Sequence, residues 1–445
     1  MRTEATPIKN IPQPWVILAV GFIVLFFGGG ALSIFGLVLV EMTEDLNRSR
    51  SSLSLVLNVF MVVSALAMPI FGRILDRKDL RLILAGSVLL IGVGAGLMWR
   101  VNALWQVFVL YGVVLAVGFA GASVPTVGVM VSRFWTARRG LANSAAIAGM
   151  GLGQLIIIGG LTAALTTIGW RTSYAVIGAA NLFIVLPVVI LFARSRPGSS
   201  APETGALDPS GVKPDGVPNA TEPTGEPNKP EPLGEPDKER PLVQANSVRD
   251  LFRSRHMWLL MGMFALCGFQ DFFVLTHVVA FATDQGVSTF LAGNMLALMG
   301  LTALIGVMLS GYLSDRYGPA VPSVLCFIIR TAIFAFIINS QTTPSILVFA
   351  LLYGSTFFIT APLGVIFAGQ IFGSRYLGTV SGIVSMVHQV FGGLGALAGG
   401  LFFDAFGSYD KGFSLILALA LLAVVISAAL HRSRPPGVLR SEASL

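Results

Sequence analysis

The sequence predicts an all-α membrane protein whose twelve transmembrane helices form two pseudo-symmetric six-helix bundles. Three observations carry this. The 445 residues are 54% hydrophobic and 11% charged, with mean hydropathy +0.80, which leaves a soluble fold no polar surface to present to water. The apolar residues fall in runs of about 20, long enough to cross a hydrocarbon core of roughly 30 Å as helices. A short phrase also recurs: Gly72-Arg73-Ile74-Leu75-Asp76-Arg77 in one half and Gly311-Tyr312-Leu313-Ser314-Asp315-Arg316 in the other. Lipid excludes unpaired backbone groups, so the spans are helices or a closed barrel, and no alternation of polar and apolar residues supports a barrel.

Each element follows in order, with boundaries read from apolar runs and the charges between them. Span 1 (about 14–40) begins at Trp15, is too long for a signal-peptide core and flows into further spans. Arg48 and Arg50 separate it from span 2 (about 52–72), which ends on the first copy of the repeated phrase. Lys78 and Arg81 precede span 3 (about 82–99), Arg100 follows it, and span 4 (about 103–131) runs to Arg133, Arg138 and Arg139. Arg171 separates span 5 (about 141–167) from span 6 (about 171–194). The second half holds span 7 (about 256–283), span 8 (about 287–313) leading into the second copy, and span 9 (about 320–340). Span 10 (about 344–371) ends before Arg375, and Lys411 marks the boundary of span 11 (about 377–403) with span 12 (about 411–430).

The bundles are thus residues 1–195 and 248–445, joined by a linker over 196–247. The linker contains Gly225-Glu226-Pro227 and again Gly234-Glu235-Pro236; proline-rich, charged and without aromatic residues, it is expected to be a disordered tether. Lysines and arginines crowd the termini and the even-numbered loops, while the opposite face carries only Arg48, Arg50, Arg100, Arg171 and Lys411. Both termini and the linker are therefore expected in the cytoplasm. This asymmetry accounts for the net charge of +7 without a nucleic-acid partner. Arg249, Arg253 and Arg255 suggest a basic juxtamembrane helix facing anionic lipid. Cys267 and Cys326 both fall inside spans, which gives no disulfide framework.

Several chemistries are excluded. Gly149-x-Gly151-x-Gly153 and Gly92-x-Gly94-x-Gly96 lie within apolar spans and lack the strand and acidic residue of a nucleotide loop, so close helix packing is their expected purpose. There is no His-Glu-x-x-His, no Gly-x-Ser-x-Gly, no metal-ligand cluster and no phosphate-binding Gly-x-x-x-x-Gly-Lys-Ser/Thr. An enzyme, a resident metal and a cofactor are not expected.

The charged side chains near the middle of a span are Asp271 in span 7 and Arg330 in span 9. A charge at that depth costs at least about 2.5–3.5 kcal/mol, so it is paired, wet or functional. The two residues can pair with each other, and the guanidinium fork of Arg330 also matches a carboxylate, which makes it the best candidate for binding an anion. His277 lies seven positions after Gln270, on the same helix face. His388 continues a row from Ser381 and Ser385, with Gln389 beside it. Either histidine can exchange a proton near neutral pH, as can Asp271, or can simply bond a backbone carbonyl. In the first half, Asn143 and Gln154 are three helical turns apart in span 5, and Tyr111 in span 4 is a further candidate for binding solute.

The doubled Gly-x-x-x-Asp-Arg loop resembles the signature of the major facilitator superfamily. Arg133-Phe134-Trp135-Thr136-Ala137-Arg138-Arg139-Gly140-Leu141-Ala142 resembles the start of the fifth helix in monocarboxylate-transporter-like members. Phe272-Phe273-Val274-Leu275-Thr276-His277 and His388-Gln389-Val390-Phe391-Gly392-Gly393 are similar to a bacterial branch of that group. The resemblance implies two bundles rocking about a midplane site, in a monomeric carrier of a small organic anion driven by protons, multi-pass in a bacterial inner membrane. It also implies a gating latch of Gly72, Asp76, Arg77, Gly311, Asp315 and Arg316. The aspartates would sit at positive helix ends, the arginines would reach the cytoplasmic rim, and the latch would favour closure there by about 1–3 kcal/mol. The animal lactate carriers of this group have a lysine in the first helix and an Asp/Arg pair in the eighth. Spans 1 and 8 here lack them, so that mechanism does not carry over. An efflux carrier for amphipathic compounds, using Phe272, Phe273, Phe349, Phe357 and Phe358, and a solute sensor without transport are the alternatives.

Overall fold

The computed structural model describes residues 13–48, 50–77, 79–135, 138–194, 242–245 and 247–432. The tether expected over 196–247 lies, apart from its last residues, outside the described residues. The first bundle holds span 1 (Gln13–Asp45), span 2 (Arg50–Arg77), span 3 (Leu80–Leu97), span 4 (Leu104–Phe134), span 5 (Arg139–Leu161) and span 6 (Thr167–Phe192). The second holds span 7 (Arg255–Asp284), span 8 (Thr289–Tyr317), span 9 (Ala320–Asn339), a broken span 10, span 11 (Leu377–Phe406) and span 12 (Asp410–Arg432). Eleven of these are long and apolar enough to cross a bilayer.

The twelfth differs from the single helix expected. Span 10 is two helices, Thr343–Phe357 and Leu363–Phe372, with Phe358–Pro362 between them. Pro362 has no N–H and its ring crowds the carbonyl four residues back, which breaks a helix at this point. The broken backbone is then satisfied from neighbouring spans, as non-helical chain within a membrane must be. Ser310 in span 8 donates to the carbonyl of Ile359 at 2.7 Å, and Arg330 in span 9 donates to that of Thr356 at 3.1 Å.

Packing repeats across the two bundles. Span 1 lies on span 5 as span 7 lies on span 11; spans 3 and 6, like spans 9 and 12, pair on the periphery. Across the halves, span 2 crosses span 11 and span 8 crosses span 5. Within the first bundle glycine allows close contact: a Cβ on Gly149 or Gly153 of span 5 would collide with the carbonyls of Phe22 or Phe26 of span 1, and one on Gly178 of span 6 with Gly96 of span 3. The glycine triplets therefore serve helix contact. At Gly169, where φ is +70°, the helical run kinks near the start of span 6. Loops 2–3, 4–5, 8–9 and 10–11 share the end at which span 6 finishes and span 7 begins, here called the linker end.

Replacement of Gly153 by valine should abolish the monodisperse gel-filtration peak of the purified protein. The added side chain meets rigid backbone and belongs at the upper end of the roughly 1–3 kcal/mol that overpacking costs. Gly160→Ala, where a Cβ meets nothing within 4 Å, should elute as the parent does.

Candidate functional site

Three spans bring charge to one point in the second bundle. Span 7 presents Asp271, span 9 Arg330 and span 11 His388, each near the middle of its helix. One Asp271 oxygen takes an Arg330 nitrogen at 2.7 Å and the Tyr353 hydroxyl at 3.0 Å. The other takes the Cys267 thiol and His388 Nε2, both at 3.3 Å. Arg330 also donates through Nε to the Thr356 hydroxyl at 3.1 Å, and lies 4.9 Å from the centre of the Tyr353 ring. Its guanidinium therefore spans two loads, the Asp271 carboxylate and the carbonyl end of the first helix of span 10. A cation at a helix C-terminus is favoured by the dipole.

Exposure separates the three. The side chains of Arg330 and Asp271 are 0% and 4% exposed, whereas His388 keeps 24% of its side-chain surface open. His388 is thus the member of the cluster that keeps open surface. Cys267, Asp271 and His388 also place ligand-type atoms within 4.8 Å of one another. Arg330 already balances that carboxylate, so a divalent ion would be set against a fixed guanidinium.

The remaining candidates fall elsewhere. His277 bonds the carbonyl of Ala396 at 2.7 Å and faces the Tyr409 hydroxyl at 3.4 Å, which ties span 7 to span 11 apart from the charge cluster. Gln270 is fully buried, and neither amide atom has a hydrogen-bond partner among the described residues. Gln389 is half-buried beside His388. Asn143 donates to Ser132 and to the carbonyl of Arg139, both at 2.8 Å, and is sealed at the linker end. Gln154 is half-buried and opens a π-helical turn, Gln154–Ile158. The two are not neighbours on one wall. Tyr111 is fully buried, donates to the carbonyl of Leu32 at 3.3 Å and packs against Phe35 and Phe60. A cleft of about 570 Å³ lined by Glu41, Asp45, Trp99 and Trp170 lies in the first bundle and shares no residue with the charge cluster.

The repeated phrase forms two matching contacts between the halves at the linker end. Asp76 accepts the N–H groups of Gly378 at 2.7 Å and Thr379 at 2.8 Å, with the Thr379 hydroxyl at 2.6 Å. Asp315 accepts those of Gly140 at 2.6 Å and Leu141 at 2.8 Å. Each aspartate thus closes the N-terminus of a helix in the opposite bundle, where free N–H groups and the dipole favour a carboxylate. The glycines allow the approach: Cβ atoms on Gly72 and Gly378, or on Gly311 and Gly140, would strike the facing backbone. Arg77 is exposed, and Arg316 bonds the hydroxyl of its neighbour Tyr317 at 3.0 Å. Sequence reading missed Gly140 and Gly378 as the partners; their signal was a glycine in the first turn of spans 5 and 11.

Comparison with known proteins agrees with this architecture. The Major Facilitator Superfamily profile matches residues 21–396 and 282–444. "Uncharacterized MFS-type transporter YcxA" of Bacillus subtilis is 25% identical over 425 residues, covering 94% of each chain. Monocarboxylate transporter 13 of Rattus norvegicus is 21% identical over 409 residues, covering 92% of this chain and 86% of its own. Among solved structures, FucP in the outward conformation superposes with a TM-score of 0.69 at 13% identity, covering 94% of this chain and 99% of its own. The proton:xylose symporter XylE gives 0.68 at 13% identity, covering 94% and 95%. These two share the fold.

Asp76→Asn should weaken one inter-half contact by about 1–2 kcal/mol. With a cysteine placed at the buried Ser381, alkylation from the linker end should then quicken roughly 5–30-fold. An unchanged rate would show that the aspartate does not hold that end shut.

Proposed function

The chain belongs to the Major Facilitator Superfamily, and from that premise we propose that it is a proton-coupled carrier of a small organic anion, by preference a monocarboxylate. It is a multi-pass membrane transporter; the reading places it in a bacterial cell membrane with the termini and linker in the cytoplasm. The observation that carries the reading is the partly open His388 in contact with a sealed Asp271–Arg330 pair.

The pair is internally neutral. When His388 takes a proton, the site is left with one positive charge, and a carboxylate arriving through the same opening restores neutrality. Proton and anion then stabilise each other: the imidazolium attracts the anion, and the anion favours the imidazolium. Either one alone would leave the low-dielectric site less well compensated, which is the thermodynamic basis of co-transport. Arg330 thus acts through the charge it leaves at His388, because its own nitrogens are committed to Asp271, Thr356 and Cys267. Asp271 positions the imidazole. His277, bound to backbone, is not needed for coupling.

The latch fits alternating access. With both aspartates seated, the linker end is closed, and solute enters from the other side. Rocking of the bundles must release two carboxylates together, a contribution of about 1–3 kcal/mol each, before solute can leave on the linker side. The efflux alternative draws less support, because Phe273 and Phe349 are buried in the aromatic core of the second bundle.

Proteoliposomes loaded with unlabelled acid and offered radiolabelled monocarboxylates should show counterflow, and a pH gradient should raise accumulation. Replacing His388 by glutamine should retain counterflow while accumulation driven by the pH gradient falls at least tenfold. Full gradient-driven accumulation by that variant would move the coupling proton elsewhere. Arg330→Ala should abolish transport, since removing one partner of a buried ion pair costs about 3–5 kcal/mol.

A further inference from the structure

We propose that the start of the second bundle holds a binding site for anionic phospholipid, built by Arg249, Arg253 and Arg255 with the ring pair Phe252 and Trp258. The site is formed by the short helix Val248–Arg253 and the first turn of span 7. Ser247 begins that helix with a reciprocal bond: its N–H donates to the Asp250 carboxylate at 2.9 Å, and the Asp250 N–H donates back to the Ser247 hydroxyl at 3.4 Å. Leu251 is fully buried and fixes the rotation of the helix. Arg249 and Arg253 lie two residues to either side of it, four apart, so both fall on the face turned away from the protein. Both are exposed, as is Arg255, and the Arg253 side chain is 68% open.

An apolar surface continues from this basic face. Trp258 is 58% exposed and Phe252 37%, and their rings stand 6.4 Å apart. The Trp258 indole N–H donates to the carbonyl of Phe252 at 2.8 Å, a group at the helix end that no helical N–H reaches. The indole is thereby held one turn into span 7, the level at which tryptophan sits between headgroups and acyl chains. Three cations next to two fixed aromatic rings fit a phosphate diester carrying hydrocarbon. A soluble anion would leave the rings uncovered. Asp250 is the one carboxylate on this short helix, and it is committed to Ser247 and lies 3.8 Å from Arg253, so the surface stays basic.

The site has a mechanical connection. Just before the short helix, the N–H groups of Leu242 and Val243 donate to the carbonyls of Gln370 and Ile371, at 3.4 and 2.9 Å. These carbonyls belong to the last turn of the second helix of span 10, which also places Val365 where a Cβ on Gly128 of the first bundle would meet it. Lipid held at the arginines therefore lies next to a strap bonded to the end of a helix whose start meets the first bundle.

Brominated lipids test this with the full-length protein in mixed micelles. At low salt, brominated phosphatidylglycerol should quench tryptophan fluorescence at no more than one tenth of the concentration that brominated phosphatidylcholine requires, and the difference should shrink as salt screens the arginines. The excess quenching should vanish in Trp258→Phe, which removes the reporter. It should also vanish in the triple variant R249Q/R253Q/R255Q and fall by about half in Arg253→Gln, a change at an exposed position that leaves the fold in place. Equal quenching by the two lipids, or excess quenching that survives the triple variant, would overturn the site. Loss of the excess on adding glycerol phosphate would overturn lipid as its occupant.

Discussion

A carboxylate placed halfway through a hydrocarbon slab has no water to fall back on, and its compensation has to come from the protein around it. Asp271 meets that requirement through Arg330, Tyr353, Cys267 and His388, drawn from spans 7, 9, 10 and 11. Much of the second bundle is organised by this one need. Span 9 is brought in because it carries the cation. Span 10 contributes a hydroxyl before its break and, through Thr356, the carbonyl that occupies the rest of the guanidinium. A break that would leave orphaned backbone in lipid is thus closed by the same arginine that neutralises the carboxylate, so the charge pair and the helix break stabilise one another.

The two linker-end contacts obey a different economy. There the carboxylates face helix N-termini, which carry partial charge and free donors but no charged side chain that must be desolvated. Such contacts can form and release without stranding a full charge in lipid, which suits a joint that would open in each cycle of the proposed mechanism. The Asp271–Arg330 pair, with both members sealed, suits a joint that stays closed. In the proposed cycle, rigid charge inside a bundle and releasable charge between bundles divide the labour.

The sequence conveyed much of the fold, and the reasons are physical. Lipid enforces apolar runs, so the spans are visible without knowledge of their neighbours. The repeated phrase was legible because duplication is rare by chance, and the mid-span charges because lipid penalises them. What failed was partner assignment. Gln270 and His277 share a helix face, yet that spacing says nothing of Ala396 in span 11 and Tyr409 just after it, which claim the histidine. Asn143 and Gln154 align along one helix, but one is sealed at the seam while the other sits at a local change of helical pitch. Pro362 was visible within span 10; that its break would be closed by an arginine from span 9 depends on tertiary contact alone.

The central claim is that proton and anion meet at an imidazole above a charge pair that stays ionised throughout. Infrared difference spectroscopy of anion binding to the purified protein, with isotope-labelled histidine, tests it most directly. The account predicts that binding a monocarboxylate produces an imidazolium signal assigned to His388, with no protonated-carboxyl band from Asp271. A protonated Asp271 accompanied by an unchanged histidine spectrum would contradict it.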